Sequence, residues 1–163
     1  ILAPRIEGLS FLNRNGMLLT AIRDQNSKGM SLEDIKKIDS EWRAGTSPLI
    51  KKLQNNKAGS FLKKIIVQQS DVYNEAFLTD AKGANVAVYP PTSDYWQGDE
   101  EKFTAAFADG KGEIFVGGVE YDESTKTNAV QISLPMIYND AAIGVLVICV
   151  KVSVIEAEIL SGQ

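Results

Sequence analysis

Histidine is missing from all 163 residues, and cysteine occurs once. Without imidazole there is no Ser-His-Asp or Cys-His catalysis, no histidine-containing zinc site, and none of the side chain that usually titrates near neutrality. The lone Cys149 excludes an intrachain disulfide and a cysteine-only metal cluster. It sits inside IGVLVICV, where it reads as a small buried hydrophobe, neutral about redox compartment. Long apolar runs are also missing. The longest, AAIGVLVICV at 141–150, falls well short of the about 20 residues that span a bilayer. No signal-peptide pattern opens the chain. It begins at Ile1 rather than Met, so it is read here as a fragment or a processed form, with any anchor or targeting segment lying outside it. Basic charge is scarce: 17 Lys and Arg against 21 acids leave −4 at neutral pH. Binding to nucleic acid or an anionic membrane requires a clustered basic surface. The pairs Lys36–Lys37, Lys51–Lys52 and Lys63–Lys64 read instead as solvated helix faces.

What remains is an ordinary globular composition, 44% hydrophobic and 23% charged, of a length that fits one domain. Two halves differ in period. From Pro4 to about Gln69 the pattern is helical. Pro4 suits a first helical turn, and Ile6, Leu9, Met17, Ala21 and Ile22 can share one stripe. In SLEDIKKIDSEW (31–42), Ser31 can cap a helix with Asp34 three residues on, while Leu32, Ile35, Ile38 and Trp42 recur at helical spacing. Gly45 is a natural stop. Ser47–Pro48 is expected to start a short helix through Leu53, and Ser60 a further one.

After Asp71 the period becomes two. EAFLTD and ANVAVY around AKG read as a hairpin, with Gly83 supplying a positive backbone dihedral. DEEKFTAAF (99–107) reads as a short helix with acids at its positive end. Three more strands fit 113–121, 127–134 and 143–152, separated by DESTK and MIYNDA, and Gly117–Gly118 marks a bulge. In IGVLVICVKV both faces are apolar, which makes this strand central and covered on both sides. VQISL alternates, with Gln131 and Ser133 on the other face from Val130, Ile132 and Leu134. The expected fold class is therefore α+β: a five-stranded antiparallel sheet with the N-terminal helices on one face and the 90–112 loop and helix on the other.

With that order of elements, three segments carry a resemblance: EAFLTDAKGANVAVYPPTSDYWQGDEEKFTAAF (75–107), VEYDEST (119–125) and VQISLPMIYNDAAIGVLVICVKV (130–152). The chain resembles a periplasmic PAS-like sensor domain of the Cache or PDC type, in its single-module form, and TSDYWQGDE marks a narrower subgroup. The resemblance implies an extracytoplasmic ligand-binding input domain with a long N-terminal helix, a PAS-like sheet and a pocket between sheet and lid. It divides the chain into a helical part (4–70), a sheet core (73–152) and a C-terminal extension (153–163) leading to the rest of a membrane-anchored parent. Such parents include chemoreceptors, histidine kinases and cyclic-dinucleotide enzymes. No cofactor and no metal are expected, and the charge balance argues against a nucleic-acid partner.

The segment TSDYWQGDEEKF is the expected pocket wall. Tyr95 and Trp96 offer apolar faces with a hydrogen-bonding tip, and small-ligand pockets combine such faces with a few convergent polar groups. Asp94 and Asp99 can accept from an ammonium or hydroxyl, Lys102 can pair a carboxylate, and Gln97 can do either. Gln131, Ser133 and Tyr121 are further candidates. The alternative stays open that Trp96 plugs the core with Tyr95 capping it, while Asp94 and Asp99 only fix the turn and cap the helix. Many amino-acid-binding members of the family grip the ligand carboxylate with an arginine in the covering helix, and here no arginine follows Arg43. Asp122 and Glu123 read as a solvated turn, and the phosphate-loop pattern GxxxxGK[ST] is absent.

Three functions are weighed. The first is a sensory module for a small organic ligand. The second is a ligand-free structural module that forms a homodimer through the stripe of the first helix (Ile6, Leu9, Met17). The third is an enzyme, which would depend on carboxylates or lysine.

Overall fold

A computed structural model describes residues 2–123 and 125–162. Helix α1 (Ala3–Ser10) starts on Pro4 and continues as a 3-10 turn over Phe11–Arg14. Asn15 then turns extended, and its side chain accepts from the Leu18 N–H at 3.1 Å to cap α2 (Gly16–Ser27). The stripe expected to run from Ile6 to Ile22 on one helix is thus split in two, because an Asn side chain competes with the helical backbone and favours a cap over an interior. Helix α3 (Leu32–Arg43) begins as expected, Ser31 accepting from the Asp34 N–H. After α4 (Leu49–Asn55) comes α5 (Lys57–Gln68). It starts three residues before the expected Ser60, because Asn56 caps it through the Gly59 N–H at 2.7 Å. The same Asn56 donates to the Val86 carbonyl at 3.0 Å, tying the helices to the sheet.

The strands are β1 (Tyr73–Thr79), β2 (Asn85–Tyr89), β3 (Phe115–Asp122), β4 (Thr127–Tyr138) and β5 (Ala141–Lys151), with α6 (Glu101–Phe107) between β2 and β3. All pair antiparallel in the order β2-β1-β5-β4-β3. This is the PAS-like α+β arrangement, with β5 in the centre as its two apolar faces require. The β3–β4 register shifts between Val116 and Val119, around the glycine pair. Most of MIYNDA is strand rather than separator. Asn139 and Asp140 both take positive φ (50° and 62°) and close a two-residue hairpin, a geometry Asn and Asp tolerate well.

The helices do not all cover one face. α1, α2 and α5 pack on the side of Ala76, Leu78, Ile132, Leu134, Leu146, Ile148 and Val150. α3 instead joins α6 and the 90–100 segment over Phe77, Val145, Val147 and Cys149, carrying Ile35 and Trp42 there. The expected division, with the lid alone on the second face, is corrected. A seven-residue helix and a loop are too small to cover five strands, and the Ile35–Trp42 stripe supplies the missing apolar area. A final helix, α7 (Val152–Ser161), leaves directly from β5, and its Glu158 pairs with Arg5 of α1.

Candidate functional site

The segment after β2 is built as a lid by backbone hydrogen bonds. The buried Asp39 of α3 accepts through Oδ1 from the backbone N–H groups of Tyr95 (2.9 Å) and Trp96 (3.0 Å). Its other oxygen pairs with Arg43 Nε at 2.9 Å, and the same guanidinium reaches Asp94 Oδ2 at 3.5 Å. On the sheet side the Asn85 N–H donates to Tyr95 O at 3.0 Å and the Gln97 N–H to Gly83 O at 2.7 Å. The Asp94 carbonyl gathers three donors: Asn85 Nδ2, Thr92 Oγ1 and Gln97 Nε2. Gly98 then passes against Gly83, where a Cβ would lie 2.4 Å from the Gly98 Cα. The TSDYWQGDE segment is therefore a tightly pinned strap across the end of the first hairpin.

Beneath the strap lies a cavity of about 160 Å³. Its floor is Glu75 and Phe77 of β1, Ala129 and Gln131 of β4, and Cys149 of β5. Glu120, Tyr121 and Asp122 of β3, with Glu123, form one wall, and Thr92, Ser93, Gln97 and Lys102 close it from the lid. Of the nine residues expected at a site, the structure brings four together here: Gln97, Lys102, Tyr121 and Gln131. Tyr121 stands at the mouth, 53% exposed.

The other five lie elsewhere. The rings of Tyr95 and Trp96, expected to roof the chamber, do not line it. Tyr95 is buried against Trp42, ring centres 5.6 Å apart, and faces a second, wider groove of about 660 Å³ between α2, α4 and α5. Trp96 is half-buried at the edge of the second core cluster, its indole N–H donating to Lys82 O at 2.9 Å and Lys36 Nζ lying 5.2 Å from its ring centre. Both backbone N–H groups are held by Asp39 from the α3 side, and both rings pack with the second core cluster rather than lining the cavity. Asp94 pairs with Arg43, and Asp99 is exposed. The helix cap expected of Asp99 falls instead at Glu100, with no side-chain hydrogen bond. Ser133 shares the face of Gln131 and is fully buried opposite Val147, outside the cavity, its Oγ without a partner.

The smaller cavity, not the wider groove, concentrates unusual polar chemistry. Gln97 is 2% exposed, and with its Nε2 committed to Asp94 O, its Oε1 has no partner. Glu75 is 5% exposed. Burial, reinforced by the neighbouring Asp122 carboxylate, pushes its carboxyl well above the usual range. Burial likewise pushes the Cys149 thiol up, with Glu75 adding to it. Burial works against the charge on Lys102, but its pair with Glu100 at 2.9 Å outweighs this and holds the ammonium above its ordinary value. The same ammonium lies 5.4 Å from the centre of the Phe77 ring.

Sequence reasoning passed over Glu75, Asp122, Glu123 and Cys149. A signal for Glu75 was present. Period-two alternation sets it on the face of Phe77, inside a strand buried along its whole length. Asp122 and Glu123 gave none, since adjacent acids in a turn are ordinarily solvated.

No family model matches the chain, and no curated protein matches it. Among solved structures it is similar to the ligand-binding domain of the Campylobacter jejuni chemoreceptor Tlp3 in complex with L-valine, at 14% identity and a TM-score of 0.46 over 91% of this chain and 60% of that one. It is similar to the sensor domain of the V. cholerae histidine kinase DctB, at 14% identity and a TM-score of 0.48 over 94% and 60%. The ligand-binding domain of the Pseudomonas aeruginosa amino-acid chemoreceptor PctC with GABA matches at 18% identity and a TM-score of 0.47, over 72% and 60%. These neighbours are ligand-binding sensor domains of chemoreceptors and histidine kinases, and the chain spans about 60% of their length.

Proposed function

We propose that this chain is an extracytoplasmic sensor domain that binds a small organic molecule and belongs to a membrane-anchored bacterial signalling protein, such as a chemoreceptor, histidine kinase or cyclic-dinucleotide enzyme. The domain itself is non-catalytic in this reading. One observation carries it: a cavity beneath the strap whose lining includes a deeply buried, unpartnered acceptor, Gln97 Oε1. Leaving such an atom unpaired costs about 1–3 kcal/mol, which a ligand donor would offset. Gln97, Lys102, Tyr121 and Gln131 are the contact residues, together with Glu75. Asp94, Tyr95, Trp96 and Gly98 shape the strap that holds Gln97 in place, which gives the subgroup motif a physical role.

Signal leaves by a short route. Cys149 on the floor belongs to the strand that runs straight into α7, and α7 is paired to α1 through Glu158 and Arg5. A ligand that favours one packing of lid on sheet then shifts the relation of the two terminal helices, by as much as its affinities for the two packings differ. The stripe proposed for homodimer formation packs into the chain's own core through Leu9, Ile6 and Met17. Pairing through this element would instead use Phe11, which is 71% exposed.

A thermal-shift screen with organic acids, amines, amino acids and purines tests the reading. A ligand at 100 times its dissociation constant stabilises by about 2.7 kcal/mol, about 5–10 °C for a domain this size. No shift with any compound of a broad library would overturn it.

A further inference from the structure

The groups that face the cavity are unbalanced in sign and in hydrogen-bonding sense. Gln97 lines the cavity with its Oε1 unpartnered, while one of its two amide N–H groups donates to Asp94 O. Glu75 sits on the floor with the Cys149 thiol 3.9 Å away. Asp122 faces it from β3, accepting from Asn74 Nδ2 (3.1 Å) and Thr125 Oγ1 (2.6 Å), and Glu120 and Glu123 add two more carboxylates to the same wall. Lys102, from α6, is the cation of the lining, and it already has Glu100 and the Phe77 ring. A carboxylate ligand would meet four acids and a neutralised lysine.

We infer that the cavity selects a small organic cation, an ammonium group carried on a few heavy atoms, whose N–H donors complete Gln97 Oε1 and Glu75. This rests on the sensor reading above and narrows it to a ligand class. The size follows from the volume. About 160 Å³ is about five water volumes and lies below the about 300 Å³ at which drug-sized sites begin. A bare metal ion is disfavoured by geometry. Among the described residues, no three or more Cys, Asp or Glu side chains are placed to hold one.

The Glu75–Asp122 pair gives the inference a distinctive consequence. A buried carboxyl beside a second one, as Glu75 is beside Asp122, holds a proton more readily than the two hold two charges. A bound ammonium supplies the positive charge in the proton's place, so binding releases a proton and weakens as pH falls. Lys102 on α6 opposes this protonation, while Glu120 on β3, Glu123 in the turn after it and the buried thiol of Cys149 on β5 do not relieve it.

The test measures the melting temperature and calorimetric affinity of the chain with methylammonium, ethanolamine, acetate, propionate and calcium chloride at matched ionic strength. The amines should bind and the carboxylates should not, with affinity at about pH 8 at least about tenfold above that at about pH 5.5. Glu75→Gln, nearly isosteric, should weaken amine binding by about tenfold or more, with loss of the pH dependence. Its ligand-free melting temperature should be no lower than that of the parent, which separates lost binding from lost folding. Stabilisation by carboxylates and not amines, by calcium alone, or by amines equally in Glu75→Gln would each overturn the cation inference while leaving a ligand-binding domain. Silence across these probes and across the wider library would instead bring down the sensor reading itself.

Discussion

Asp39 is an α3 side chain that holds the lid by its backbone, and Asp39→Ala measures how much of the lid's stability depends on it. The substitution removes one carboxylate oxygen that accepts from two N–H groups, at 2.9 and 3.0 Å. Hydrogen bonds to a charged acceptor contribute about 1.5–3 kcal/mol each, so the pair sets an upper range of about 3–6 kcal/mol. The Arg43 contact adds little, because its guanidinium is 58% exposed and solvent screens it. The Trp96 N–H can recover part of its loss through water, the buried Tyr95 N–H less so, which brings the expected cost to about 3–4 kcal/mol. Urea unfolding reads this as a lower midpoint at unchanged slope. Asp39→Asn keeps one carbonyl acceptor and should lose about half as much. In a double-mutant cycle with Arg43→Ala the coupling should stay below about 1 kcal/mol. A loss under about 1 kcal/mol for Asp39→Ala would refute the clamp, because the lid would then be held by the sheet side alone.

Further outcomes follow from the same contacts. Because the folded Glu75 carboxyl lies above its ordinary value, the stability it contributes is fully present below that ordinary value and is lost as pH rises through the folded one. Glu75→Gln should therefore flatten the stability profile over that window and exceed the parent above it, as read by urea midpoints against pH. Gly83→Ala places a Cβ 2.4 Å from the Gly98 Cα at a φ of +82°. Strain and overlap together should cost about 2–5 kcal/mol in unfolding experiments, whereas a neutral result would mean that strap and hairpin separate freely. Trp42→Phe removes the donor 2.7 Å from the Thr92 carbonyl. It should cost about 1–3 kcal/mol and loosen the strap, seen as faster amide exchange at Asn85 and Gln97.

Much of the fold was legible because burial and period are local properties of the chain. The doubly apolar IGVLVICV gave away its central place. Ser31 capped where its spacing with Asp34 said it would, and the glycine pair in β3 marked the register shift. The misreadings share a cause. Asn15 and Asn56 decided helix starts by single side-chain hydrogen bonds to the backbone, and a period reading is blind to these. MIYNDA looked like a loop because a two-residue turn needs only Asn139 and Asp140, leaving the residues before them to the strand.

The candidate site was only half legible, and the reason is directional. The composition of TSDYWQGDEEKF marked the lid, but which way each side chain points depends on where its backbone is held. That was set by Asp39, 56 positions away from Tyr95. Residue order alone thus determined the class of fold, the central strand and the segment that covers the sheet, since these follow from hydrophobic spacing and turn chemistry. Only the tertiary structure decided that Trp96 packs away from the cavity and that Glu75, Gln97 and Asp122 line one chamber. The cavity is lined by residues of β1, the lid, β3, β4 and β5, and no local pattern records their convergence.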